Sequence, residues 1–393
     1  MKKFLNLVNK TKRVVIGILS GTSVDGVDVV LLKISGKNFA TRIKVIDFKT
    51  YPVSSELKKF IIECSSGKSG NPENICRLNF MAGNLFADSV IKLIKKNKLL
   101  TKDIDLIGSH GQTIFHYPFN HKLYKLSSKS TLQIGDISVI ANKTGITTVG
   151  DFRTGDVAVN GDGAPLVPYL DQILFTDKRN KRILINIGGI TNLTVLGKYG
   201  DNKKVIAFDC GPGNMMIDYL ANKYYNKKFD KNGQIASKGN VIDEMLKKII
   251  SEDEFCRKAP PKSTGREYYS ENFINSILNK FKKADPSDIL KTFTEFTAFA
   301  IHYNLKKINV DIDNAELIVS GGGAKNTLLM KYLKEYFKGN TVRTMNDHGI
   351  NCDNKEAVLF AVLANELING EKTNMPSVTG SDRKVFLGKI SIA

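Results

Sequence analysis

The chain of 393 residues contains no run of 18 or more apolar residues, so no transmembrane helix is expected. Its five cysteines, Cys64, Cys76, Cys210, Cys256 and Cys352, are widely spaced and form no CxxC pair. That excludes a structural zinc site and points to reduced thiols, each a small buried hydrophobe rather than a nucleophile. There is no Walker A loop, no GxGxxG dinucleotide fingerprint and no GxSxG elbow to expose a nucleophilic serine. Acidic residues are in the minority: 39 Asp and Glu face 58 Lys and Arg, a net charge of +19. The lysines are scattered, with only short clusters such as Lys95-Lys96 and Lys306-Lys307, and no Arg-rich tract or aromatic-interleaved RNA motif occurs. We therefore expect a Lys-rich solvated surface that helps to collect anionic substrates, and no nucleic-acid or membrane partner.

What is present suits a globular α/β protein. Hydrophobic residues make up 42% of the chain, and its length suits two domains. The N-terminus has a basic start and an apolar stretch, but Asn6, Asn9, Lys10, Lys12 and Arg13 interrupt it. It reads as a polar lead-in to a buried strand of a cytoplasmic protein, not as an export signal. Segments 13–34 and 182–197 share one pattern, an apolar strand, a glycine turn and a second apolar strand, which predicts two β-hairpins. Each opens one half of the chain, as an internal duplication would. Helical periodicity covers 74–96, 242–250, 288–309 and 355–369, and short strands are expected at 106–107, 147–149, 205–208 and 317–319. The alternation predicts mixed α/β layers. A domain boundary is expected between residues 149 and 182; we draw it at 155/156, giving domains 1–155 and 156–393 apposed around a cleft.

Three glycine turns are candidates for handling phosphate. The first comprises Ser20, Gly21, Thr22, Ser23, Val24, Asp25, Gly26 and Val27. Glycine lets the backbone approach a phosphate, and the hydroxyls and N–H groups can bond its oxygens. Asp25 or Asp28 would repel phosphate directly but could hold a hydrated Mg²⁺ that bridges it. An ordinary hairpin turn would use the same residue types. Gly188, Gly189 and Asn192 lie in the second hairpin and suit an opposing clamp. Gly321, Gly322 and Gly323 follow a buried strand and leave a flat surface on which an adenosine group could lie, with Asn326 nearby.

Acid–base and sugar-binding candidates lie between these turns. Asp209, at the end of the 205–208 strand and beside a Gly-Pro-Gly turn, could take a proton from water, although a turn or capping aspartate is common there. His110 and Gln112 sit among glycines in GSHGQTIFH, where polar sugar contacts are plausible. His110, His116 and His121 match no zinc spacing. Arg153 could fork onto a carboxylate or phosphate, or pair with Asp151 or Asp156 at the surface.

Taken together, SGTSVDGVD, GSHGQTIFH, LQIGD, DFRTGDVAVNGDGAPLVP, NIGGITN, FDCGPGNMMID, PPKSTGRE, VSGGGAKN, EAVLFAVLANE and VTGSDRKVFLG resemble the anhydro-N-acetylmuramic acid kinase family, in order, from about residue 14 to 388. The resemblance implies two duplicated actin-like ATPase (ribonuclease H-like) domains with mixed sheets and ATP, with Mg²⁺, in a central cleft. It also implies hydrolytic opening of the 1,6-anhydro ring and phosphorylation of O6. Asp209 matches the family's general base and the turn from Ser20 to Val27 its ATP loop. Arg153 and Glu356 match positions on the sugar side, with His110 and Gln112 also inside the motif. Expected partners are the amino sugar and ATP, with a homodimer admitted. One departure is Asn160-Gly161-Asp162, where the family commonly reads GGQ; an inward Asp162 would repel phosphate. Another is the long extension 1–12, expected to be peripheral.

Overall fold

Both glycine-turn segments form antiparallel hairpins, the outcome that their Val, Ile and Leu runs favour. The structure is a computed structural model describing residues 2–66, 68–200, 205–260, 262–265, 267–308, 312–348 and 354–393. Its strands are β1 (Lys12–Ser20), β2 (Gly26–Ser35), β3 (Arg42–Pro52), β4 (Leu106–Leu123), β5 (Leu126–Ile134), β6 (Thr148–Gly150), β7 (Arg182–Ile187), β8 (Ile190–Leu196), β9 (Ile206–Pro212), β10 (Glu316–Ser320), β11 (Thr341–Thr344) and β12 (Lys389–Ser391).

The contacts divide the chain into two compact units, Met1–Leu174 with Asp353–Ala393, and Phe175–Cys352. Each has one mixed sheet. The first runs β12-β6-β4-β1-β2-β3, with β5 paired to β4; the second runs β11-β10-β7-β8-β9. Both contain the same arrangement. An antiparallel meander (β3-β2-β1, β9-β8-β7) meets a parallel neighbour (β4, β10) and then a second parallel strand (β6, β11).

The break at 174/175 falls inside the expected interval, but a division at 155/156 differs from the contacts in two places. Leu166, Tyr169 and Leu170 join the first unit's core, and so does the returning helix Lys355–Ile368. That helix is apolar almost all round, so it must be buried, but its sequence does not say in which unit. It lies on β1 and β4 where Gly17 and Gly108 are paired in register. A Cβ on Gly17 would sit 1.9 Å from Ala357 O, and one on Gly108 would sit 2.1 Å from Phe360 O. The absent side chains let the helix backbone touch the sheet.

The helices expected at 74–96, 242–250 and 288–309 are Pro72–Lys96, Asp243–Glu252 and Pro286–Lys307; Asn309 lies outside the described residues. Asn71 and Asp285 cap the first and third, each followed by proline at the first helical position.

Three local expectations are corrected. Residues Lys2–Asn9 form a helix rather than a polar lead-in, with Leu7 buried in the first core. Arg13 holds its end by donating to Leu7 O and Val8 O while reaching Asn365 and Asn369. β4 is not a short strand before a loop but runs through the whole GSHGQTIFH motif. Where its parallel pairing with β1 ends, β5 supplies a new antiparallel partner, and Gly111 makes the transition at φ +81°. Likewise β9 continues to Pro212, so Asp209 is inside the strand and not at its end. Cys64, Cys76, Cys210 and Cys256 are free thiols; Cys352 lies outside the described residues. No helix among the described residues is long and apolar enough to cross a membrane.

Candidate functional site

In the first unit, the β1–β2 turn is shaped from below. Val24 takes φ +52° and is buried in the core, leaving Thr22, Ser23 and Asp25 exposed. A hydrophobic anchor thus tolerates a left-handed conformation and turns the hydroxyls outward. Gly26 has no room for a side chain, because a Cβ would lie 2.5 Å from Thr50 Cγ2. At the base of the turn Ser20 Oγ donates to Gln112 Oε1 at 2.6 Å. Gln112 is buried and spends its amide on Thr113 O. Both ends of its side chain are thereby engaged at the base of the turn. Asp25 is exposed and paired with Lys58, whereas the half-buried Asp28 accepts from Thr50 Oγ1 at 2.6 Å. Among the described residues no group of three or more His, Cys, Asp or Glu gathers to ligate a metal directly. Mg²⁺ needs only one or two carboxylates when phosphates and water complete its shell, and Asp28 fits that role better than Asp25.

His110 and Arg153 come together. Arg153 Nε donates to His110 Nε2 at 3.0 Å, so the imidazole proton sits on Nδ1, which faces Gly111 O at 3.1 Å. Burial first, and then the Arg153 charge, lower the His110 pKa to about 3. His110 is therefore a neutral orienter of the guanidinium, packed on the Phe360 ring at 4.6 Å. Arg153 Nη1 also donates to Gly163 O at 2.9 Å. Burial works against the Arg153 charge and the Glu356 carboxylate works for it. The Glu356 pKa is raised by desolvation, opposed by Arg153 and Lys355, although the residue is open to solvent at the helix start. Two supporting roles escaped the sequence reading. Asp156 is fully buried and accepts from Gly163 N, Asn374 Nδ2 and Thr379 Oγ1, which ties the GDGAP loop to the C-terminal segment. Lys129, from β5, donates to Asp162 Oδ1 at 2.6 Å. The unusual aspartate is thereby paired with a cation.

In the second unit, three glycine segments interlock. Asn214 N donates to Gly188 O at 2.7 Å and Gly213 N to Gly189 O at 2.8 Å. A Cβ on Gly213 would lie 2.2 Å from Gly188 O. Gly321, at φ +78°, and Gly323 both press on Ile187, and Gly322 lies against the Asn214 amide. Asn326 is taken up locally: its Oδ1 caps the helix Thr327–Tyr336 by accepting from Leu328 N and Leu329 N.

Beside these turns a polar row crosses the sheet. Ser320, Asn186, Asn192 and Asp209 are register neighbours on β10, β7, β8 and β9. Directly paired residues share a face, so the row was hidden until register was known. Asp209 Oδ2 accepts from Ser263 Oγ at 2.8 Å and Thr264 N at 2.9 Å. Oδ1 accepts no hydrogen bond among the described residues. Burial raises the Asp209 pKa, and the two hydrogen bonds and the Lys262 charge oppose it. One oxygen is held and the other is free, with basicity above that of an ordinary aspartate. This arrangement suits proton abstraction. Ser263 and Thr264 belong to the PPKSTGRE motif, whose Pro261 and Arg266 lie outside the described residues.

The sequence profile described as "Anhydro-N-acetylmuramic acid kinase" matches residues 13–393. A relative of that name from Caldanaerobacter subterraneus subsp. tengcongensis is 43% identical, with 100% of both chains covered. Another, from Clostridioides difficile, is 43% identical over 96% of this chain and 97% of its own. Among solved structures, component A of (R)-2-hydroxyglutaryl-CoA dehydratase from Acidaminococcus fermentans aligns over 91% of this chain and 99% of its own, at 11% identity and a TM-score of 0.45, too low to bear on the site. The full-length matches at this identity place the chain in the anhydro-N-acetylmuramic acid kinase family.

Proposed function

We propose that the chain is a cytoplasmic ATP-dependent kinase of cell-wall recycling. It would open the 1,6-anhydro ring of anhydro-N-acetylmuramic acid with water and phosphorylate O6, giving N-acetylmuramic acid 6-phosphate and ADP. The repeated strand order of the two units supports a duplicated, actin-like architecture. On this reading the β1–β2 and β7–β8 turns hold the phosphates and the Gly321–Gly323 segment receives the adenosine. Asp28 would hold Mg²⁺ through water, and the bound ion would supply positive charge against the phosphates.

The observation that carries the reading is the Asp209 carboxylate, with one oxygen fixed and one free. Asp209 takes a proton from water as the water oxygen bonds to the anomeric carbon. The bond from that carbon to O6 breaks, and O6 attacks the γ-phosphorus as ADP leaves. Capture of O6 by phosphate prevents the ring from reclosing. Arg153, oriented by neutral His110, suits the lactyl carboxylate of the sugar.

Product analysis after incubation with ATP, Mg²⁺ and the anhydro sugar tests the reaction. Asp209→Asn should bind ATP normally but turn over about 100-fold more slowly or worse, the scale of lost general-base catalysis. Undiminished turnover would remove Asp209 from the role. ATP hydrolysis indifferent to the sugar would point instead to a nucleotide-gated scaffold.

A further inference from the structure

The segment that grips Asp209, Lys262 to Gly265, has no regular secondary structure, so something else must hold it. Three contacts join it to the strand: Asp209 N donates to Lys262 O at 3.2 Å, and Ser263 Oγ and Thr264 N donate to Oδ2. Behind the segment, the Lys262 ammonium is turned away from the carboxylate into a nest of acceptors. It donates to Phe255 O at 3.0 Å, Cys256 O at 3.2 Å and Asn304 Oδ1 at 2.7 Å. That matches the three donors of an ammonium. The Phe255 ring lies 4.7 Å from the same nitrogen. Asn304, buried on the helix Pro286–Lys307, spends its amide on Cys210 O at 2.8 Å and Ala300 O at 2.8 Å. Cys210 is the residue after Asp209. A closed circuit results: Asp209 to Cys210 along β9, across to Asn304, to Lys262, through Ser263 and Thr264, and back to the Asp209 carboxylate.

We propose that Lys262 and Asn304 are positioning residues that aim the Asp209 carboxylate, so that Oδ2 is always the held oxygen and Oδ1 the free one. The inference rests on Asp209 being the general base. A half-buried ammonium with three acceptors still costs desolvation, and here that cost is tied to fixing a structureless segment against one carboxylate. The charged and titratable groups acting on Lys262 are Cys256, Cys210, Asp253 and Lys307; those acting on or facing Asp209 are Lys262 and Cys210. Burial drives both thiols well up, so they are neutral spectators, Cys256 with a pKa of about 11. Lys262 is thus the cation that favours the Asp209 carboxylate.

Steady-state kinetics of the full chain with ATP, Mg²⁺ and the anhydro sugar, over a range of pH, tests this. In Lys262→Met, kcat should fall about 100-fold, the scale of a roughly 1 Å misplacement, with KM for ATP unchanged. The acid limb of kcat/KM should also move to higher pH, because the cation is gone. Lys262→Arg keeps the charge but does not fit the nest, so it should lose kcat while its acid limb stays in place. Ser263→Ala, at an exposed residue, should lower kcat about 10-fold through one lost charge-assisted hydrogen bond. Parental kcat in Ser263→Ala overturns the proposal even where Lys262→Met fails to fold. So does a Lys262→Met enzyme whose ATP affinity falls in step with kcat and whose acid limb does not move. Full turnover in Asp209→Asn would sink the base assignment itself. An inactive Asp209→Asn beside a fully active Lys262→Met would sink the positioning role alone.

Discussion

The β1–β2 turn of the first unit is held by side chains. Ser20 and Gln112 tie its base, and Val24 pins its middle to the core. The β7–β8 turn of the second unit is held by backbone: Gly188 O and Gly189 O accept from the Gly213–Asn214 segment, with the Gly321–Gly323 loop pressed alongside. One strand order therefore supports two kinds of turn. The first offers exposed hydroxyls, and its geometry depends on polar chemistry; the second offers bare backbone, and its geometry depends on space. Substitutions should separate them.

The largest effect is expected in the second unit. Gly213→Ala sets a methyl 2.2 Å from Gly188 O, where only backbone movement can relieve it. A loss of roughly 1–3 kcal/mol in urea unfolding is expected, as for overpacking elsewhere. Gly189→Ala, whose methyl would meet only Met215 Cβ at 3.8 Å, should change stability little while lowering ATP affinity. Equal stability losses in both would break the comparison. In the first unit, Gln112→Ala removes a side-chain brace and leaves the buried Ser20 hydroxyl with only a 3.3 Å contact to Gly26 O. A cost of about 1 kcal/mol is expected, together with weaker ATP binding and unchanged sugar binding, both read by calorimetry. Weaker sugar binding alone would return Gln112 to the substrate. The smallest effect concerns pH. Because the Asp209 pKa is raised in the folded protein, its favourable contribution is present below the ordinary aspartate value and is lost as pH rises through the folded value. Asp209→Asn should therefore melt slightly above the parent near neutrality, with the gap closing in acid. A lower Tm for the variant at neutral pH would show that the carboxylate stabilises its own site.

The hairpins were legible because near-continuous Val, Ile and Leu runs on both sides of a glycine turn have few alternatives. The longest helices were legible from their periodicity, although their Asn-Pro and Asp-Pro starts lie two residues ahead of the expected bounds. The extent of β4 was not, because a strand ends where partners end and β5 lies downstream in the chain. Asn326 was singled out beside the glycine loop, but the sequence did not show that its Oδ1 caps the helix that follows. Asp162 looked hazardous until Lys129, 33 residues away, was found beside it. Asp209 was recognisable from its motif, but Ser263 and Thr264 were not tied to it, because contacts across 54 and 55 residues leave no local pattern.

Composition, periodicity and turn chemistry act over a few residues, and by themselves they determined the α/β class, the paired hairpins, the glycine turns and the family motifs. Only the tertiary structure decided which unit receives the helix Lys355–Ile368, which polar residues share the row with Asp209, and which carboxylate oxygen stays free. Those outcomes depend on strand register and on where buried groups find partners, and both are settled only when distant segments pack together.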